Sequence, residues 1–188
     1  MRQSEKHFPL LRYYEMAGGS HVDAQLNAVG GQALVRDLGL PPSFCPAPAI
    51  PYNPIRIGYV QSALMEALEQ WITKGRMPPK SRFMTLAMEG GVTVLARDAD
   101  GNGLGGIRPP QLQVPLGTYL ESNSGPGFCG LFGGFDPFSM ERLEELYPSH
   151  KRFAHKFIHA VFRSKRERFL LREDARALTK EVLQPLDK

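Results

Sequence analysis

Apolar positions along the chain follow two spacings, and the change between them marks out its elements. Ile57, Val60, Leu64, Leu68 and Trp71 fall at steps of three and four. That stripe predicts an amphipathic helix with Trp71 buried beneath it. Asn53-Pro54 stands before it as start punctuation, and Lys74-Gly75 closes it with a basic last turn and a glycine cap. Pro78-Pro79 then prevents continuation. The same spacing returns towards the end of the chain. Phe138 to Tyr147 opens a helical zone, Phe153, Phe157, Val161 and Phe162 give one stripe, and Leu171, Ala175, Leu178 and Val182 give another. Between the helical zones the pattern shortens. Val92-Thr93-Val94-Leu95 is β-rich, 98-DADGNG-103 is a turn cluster, and Gln111 to Tyr119 reads as a second extended piece before glycine-rich loops at 123–135. At the other end, Leu10 to Met16 reads as a buried strand. A small-residue turn, Ala17-Gly18-Gly19-Ser20, follows, then a polar stretch and the segment 41-PPSFCPAPAIPYNP-54, where a long helix or central strand is nearly impossible.

Composition narrows the class. The 188 residues suffice for one medium domain, and 42% hydrophobic with 22% charged residues is the balance of a folded chain. No apolar run approaches the roughly 20 residues that span a bilayer. The opening Met-Arg-Gln-Ser-Glu-Lys-His lacks the apolar core of a secretory signal, so a cytoplasmic location is expected of the chain as written, with no membrane partner. Cys45 and Cys129 allow one disulfide, but without an export signal free thiols are the expected state. Net charge is +4. The excess gathers in 150–172, where eight Lys/Arg face the single acid Glu167. Such a bias suits an anionic partner.

Several short motifs lack the context their chemistry needs. Gly101, Gly103 and Gly106 spell G-x-G-x-x-G, yet a dinucleotide site needs a helix opening at the third glycine, and Ile107-Arg108-Pro109-Pro110 stands there. A hairpin loop is the expected structure. Asp98, Asp100, Asn102 and Gly103 imitate the first half of a calcium loop, but Pro109 occupies the position of the closing bidentate glutamate. His155 and His159 are one helical turn apart, with His150 nearby. Lys156 replaces the glutamate of the zinc-protease pattern, and Lys151, Arg152 and Lys156 disfavour a dication. No metal site is expected. The phenylalanines of 151–172 sit at spacings that pack a helix inward, so its basic residues read as a solvated face and nucleic acid is not an expected partner. His21 is different. It follows a strand and a sharp small-residue turn, and so occupies a loop at a strand's carboxyl end, where open α/β sheets place their chemistry. A histidine there can act as the general base of a nucleophile triad, although spacing alone does not separate that role from an idle loop histidine.

Longer matches bear on His21. The segment 12-RYYEMAGGSHVDA-24 resembles the last core strand and catalytic-histidine loop of an α/β-hydrolase domain family, R-x-x-E-x-A-G-x-x-H-x-D. Cys45, Asn53 and 71-WITKGRMPPKSR-82 resemble its final core helix, with the W-[VI]-x-x-G-x-x-P-P segment. The stretch 98-DADGNGLGGIRPPQLQVPLGTY-119 resembles its D-x-x-G-N-x-x-G-G-I-R-x-P-x-x-x-V-P-x-x-x-Y block, and Pro137-Phe138 with the closing helices continues the likeness. The resemblance implies an α/β fold: the C-terminal portion of an α/β-hydrolase, with an incomplete sheet, flanking helices and a loop-rich, helical extension. Residues 1–75 would hold the last core strand, the histidine loop and the final core helix, and 76–188 the extension. It also implies a serine hydrolase acting on carboxylic esters or related acyl bonds, without cofactor or metal, in which His21 is the catalytic base.

The resemblance implies an elbow serine on an earlier strand and a triad acid just upstream of Met1, and the chain itself contains no G-x-S-x-G. Asp23 stands too near His21 along the chain to be the expected substitute for that acid. A truncated hydrolase, inactive by itself, is the resulting expectation. Its small ester or acyl substrate belongs to the complete enzyme, and its exposed sheet edge favours oligomers or aggregates. Two alternatives remain open: an interaction module that lost its chemistry, and a binder of anionic polymers through the basic helices 150–172.

Overall fold

The structure is a computed structural model in which residues 10–40, 45 and 47–184 are described. Its first helix, α1 (Ala24–Leu38), lies in the stretch whose polar character predicted none. Gly30-Gly31 in its middle obscures it, since each glycine costs a helix interior about 1 kcal/mol. Its ends are well marked. The Asp23 side chain accepts the Leu26 N–H, and Gly39 takes the left-handed conformation at the far end.

Helix α2 (Ile57–Lys74) forms where the apolar stripe predicts and closes on Gly75. Its buried line is Val60, Ala63 and Ala67, one step round from the large side chains. Val60 meets Ile107 and Phe169, with Tyr14, Met16 and Leu64 packed beside them. Trp71 is partly buried, under the Arg12 guanidinium at 5.7 Å, and Leu68 is 42% exposed. Trp71 is thus mostly covered, as the stripe predicts, whereas Leu68 departs from it. Small alanines let the neighbouring segments approach closely, and Leu68 alone of the stripe turns to solvent.

Leu10–Met16 is extended, but it joins no ladder. It makes single parallel bridges, Tyr14 to Arg82 and Met16 to Ile107. Leu10 and Leu11 are exposed, at 81% and 45%, so the buried strand expected there is also corrected. The ladders lie elsewhere. Strands β1 (Leu86–Glu89) and β2 (Val92–Leu95) pair antiparallel, Leu86 opposite Leu95 and Glu89 opposite Val92. Gly90 and Gly91 both have positive φ, as a two-residue hairpin turn demands. The predicted extended piece Gln111–Tyr119 divides into a one-turn helix, α3 (Pro110–Gln113), and strand β3 (Gly117–Leu120). Pro110 favours that turn, because proline fits the first helical position. Strand β4 (Gly134–Pro137) pairs antiparallel with β3. The class is α/β, with helices beside two small two-stranded sheets among the described residues.

The closing zone is helical as predicted: α4 (Met140–Leu146), α5 (His150–Arg166) and α6 (Arg172–Leu183). Phe153, Phe157 and Val161 of α5 pack with Leu178 and Val182 of α6 in one core. Phe162 departs from the expected stripe and is 55% exposed, while Phe169 is buried in the turn between the helices. Cys45 and Cys129 form a disulfide across a separation of 84 residues. Free thiols were the expectation; pairing across so long a separation depends on tertiary approach, which cysteine spacing does not reveal. No helix among the described residues is long and apolar enough to cross a membrane.

Candidate active site around His21

The turn preceding His21 is set by a close approach. Gly18 has φ +65°, and a Cβ there would stand 3.0 Å from Leu112 Cδ1 and 3.3 Å from Ile55 Cδ1. Ala17 is fully buried against Ile55, Met84, Leu112 and Tyr119. Only glycine combines that backbone with that lack of room. Beyond the turn, Val22 donates its N–H to Leu131 O at 3.0 Å and bridges Phe132, beside the disulfide. The histidine loop is thus pinned between two small cores.

Asn53 ties the loop to the start of α2. It is 1% exposed, and its Nδ2 donates to Gly18 O at 2.7 Å and to Leu120 O at 3.2 Å, while its Oδ1 accepts the Ile55 N–H. Its backbone carbonyl accepts the Ala24 N–H, and its own N–H donates to Gly133 O. Sequence reading treated Asn53 as helix punctuation and family likeness. Its anchoring role, which depends on partners 35 and 67 residues away, was missed.

Burial alternates along the loop. Ser20 is buried and donates to Val22 O at 3.0 Å; His21 is exposed; Asp23 is 4% exposed. The structure therefore presents the imidazole to solvent on a loop whose neighbours are fixed. Asp23 is fully engaged elsewhere. Its Oδ1 accepts Leu26 N at 2.7 Å and its Oδ2 accepts Ile57 N at 2.9 Å, so one carboxylate caps the starts of both α1 and α2. An acid holding two helix starts is poorly free to orient an imidazole.

The remaining motifs resolve into structural roles. In the G-x-G-x-x-G stretch, Asp98 Oδ1 accepts the N–H groups of Asp100 and Asn102, and Arg97 bridges Gly103. No long helix follows Gly106, only α3. The carboxylates of the calcium-like loop are taken by arginines: Asp98 by Arg108 at 3.2 Å, and Asp100 by Arg142 through both oxygens, at 2.9 and 3.1 Å. Asn102, fully buried, holds Gly117 O and Tyr119 N instead. Among the described residues no group of three or more His, Cys, Asp or Glu is placed to hold a metal.

A family model described as alpha/beta hydrolase domain matches residues 1–180. The chain belongs to the alpha/beta hydrolase domain family. No curated protein and no solved structure matched it. Within the matched span of this hydrolase-family chain, His21, Asp23 and Asn53 all lie on one hydrogen-bonded unit joining the histidine loop to α2.

Proposed function

We propose that this chain carries the general base, His21, of a serine hydrolase acting on carboxylic esters or related acyl bonds, with the nucleophile and the acid supplied from outside these 188 residues. The observation that carries the reading is an exposed histidine on a loop fixed by buried Asn53, Ser20 and Asp23. A base must meet its serine at hydrogen-bond distance, and a loop held on both sides supplies that positioning. The absence of a G-x-S-x-G and the double engagement of Asp23 argue for outside partners. Exposed apolar lines support a larger body packed on this one: Met65, Leu68 and Ile72 on α2, and Leu26 and Val29 on α1.

The test has two arms. In the 188-residue chain, a fluorophosphonate probe labels no serine and ester turnover stays at the buffer rate. In a chain extended upstream to include an elbow serine, His21→Ala lowers kcat by about 10³ to 10⁶, as in other triads. Probe labelling of the short chain, or full activity of His21→Ala in the extended one, refutes the assignment.

A second reading has one observation in its favour. A cavity of about 710 Å³ between α5 and α6 is lined by Lys165, Arg172, Arg176 and Lys180 over Val161 and Leu183. None of the four cations is ion-paired among the described residues. Polyanion binding whose affinity falls steeply with salt would favour this reading over the hydrolase.

A further inference from the structure

We propose that His155 and His159 on α5 form a two-nitrogen site for a borderline divalent cation such as Zn²⁺, Ni²⁺ or Cu²⁺. The proposal is independent of the hydrolase reading. It rests on where the rings stand. The two Nε2 atoms are 3.2 Å apart, with ring centroids 4.5 Å apart and planes inclined by 61°. A cation about 2.0–2.1 Å from each nitrogen would then subtend an angle of roughly 100°, between square-planar and tetrahedral values. The pair already has the bite of a chelate. With one ring in its Nε2–H tautomer the contact is a hydrogen bond, and a cation can take the place of that proton between the two nitrogens.

Sequence reading set the pair aside because cations surround it. The structure removes the nearest objection. Lys156 turns its Nζ to Leu146 O at 3.1 Å and lies over the Tyr147 ring at 5.2 Å, drawn towards the end of α4. Lys151 and Arg152 remain on the exposed helix surface. In water such neighbours weaken a dication by roughly tenfold or less, and salt reduces this further. Both histidines are exposed, so water can fill the remaining coordination positions. The bound ion would staple one turn of α5, whose inner face packs on α6.

The experiment is calorimetric titration of the untagged 188-residue chain with Ni²⁺ or Zn²⁺ at neutral pH. One saturable site is expected. His155→Gln and His159→Gln should each weaken it roughly 10- to 100-fold, as losing one of two linked donors implies. His150→Gln and His21→Gln should leave it unchanged. Combining His155→Ala with Arg163→His rebuilds the four-residue spacing one turn along α5 and should restore binding; circular dichroism verifies that each variant keeps its helices. No saturable binding, binding that follows His150 or His21, or binding that survives loss of His155 and His159 together overturns the proposal. In each of those cases a shared proton accounts for the contact.

Discussion

Asn53 shows how one side chain can organise a site without doing chemistry. Its carboxamide touches the turn before His21, strand β3 and the approach to α2. Asn53→Ala would leave the Ile55 N–H and the Gly18 carbonyl buried without partners, at about 2–3 kcal/mol of stability. Urea unfolding followed by circular dichroism measures that loss, and an unchanged midpoint would remove Asn53 from its anchoring role. Tyr119 gives a second residue-scale expectation. Burial pushes its phenol up to about 12, partly offset by a backbone hydrogen bond at Leu116. Burial raises Tyr147 as well, and its hydroxyl donates to Pro115 O. A folded-state value above the unfolded one means that the unfolded chain releases its proton first. The stabilisation is complete below about pH 10 and disappears as pH rises through about 12. Alkaline unfolding should therefore steepen across that window, and Tyr119→Phe with Tyr147→Phe should flatten it.

At the scale of elements, the disulfide joins two parts that no regular element connects. Cys45 belongs to the proline-rich segment and Cys129 begins a short 3₁₀ turn, and both pack with Phe132 beside Val22 and Tyr52. With 84 residues between the cysteines, the bond removes much freedom from the unfolded chain. Reduction, or Cys45→Ser with Cys129→Ser, should cost about 2–5 kcal/mol, read as a lower melting temperature. A reduced chain that melts with the oxidised one would show that the small core holds Val22 without the bond. The helices were more legible than the sheets. The α2 stripe and the α5–α6 pattern are local, repeated every turn, and survive any reading of their partners. Helix α1 escaped because two central glycines weaken its propensity, although Asp23 and Gly39 mark its ends.

At the scale of the whole molecule, apolar side chains remain exposed in lines as well as singly. Met65 and Ile72 on α2 are 65% and 76% exposed, and Val29 and Leu38 on α1 are 63% and 66%. Surfaces of this kind are normally covered. The isolated chain should therefore self-associate, and Met65→Lys with Ile72→Glu should shift it towards monomer in sedimentation velocity. A monomer at every concentration would count against a missing packing partner. The sequence by itself determined what depends on neighbours along the chain: the span of α2, the helical stripes of α5 and α6, the β2 hairpin strand, and, through its motifs, the family; the strand before His21, read as part of a sheet, instead makes only isolated bridges. The tertiary structure alone decided what depends on distant approach. It joined Cys45 to Cys129, spent both Asp23 oxygens on two helix starts, made Asn53 an anchor, and left Leu68 of the α2 stripe 42% exposed. The physical reason is range. Periodicity and caps are written within a few residues, whereas a hydrogen-bond partner 35 or 67 positions away exists only once the chain has folded.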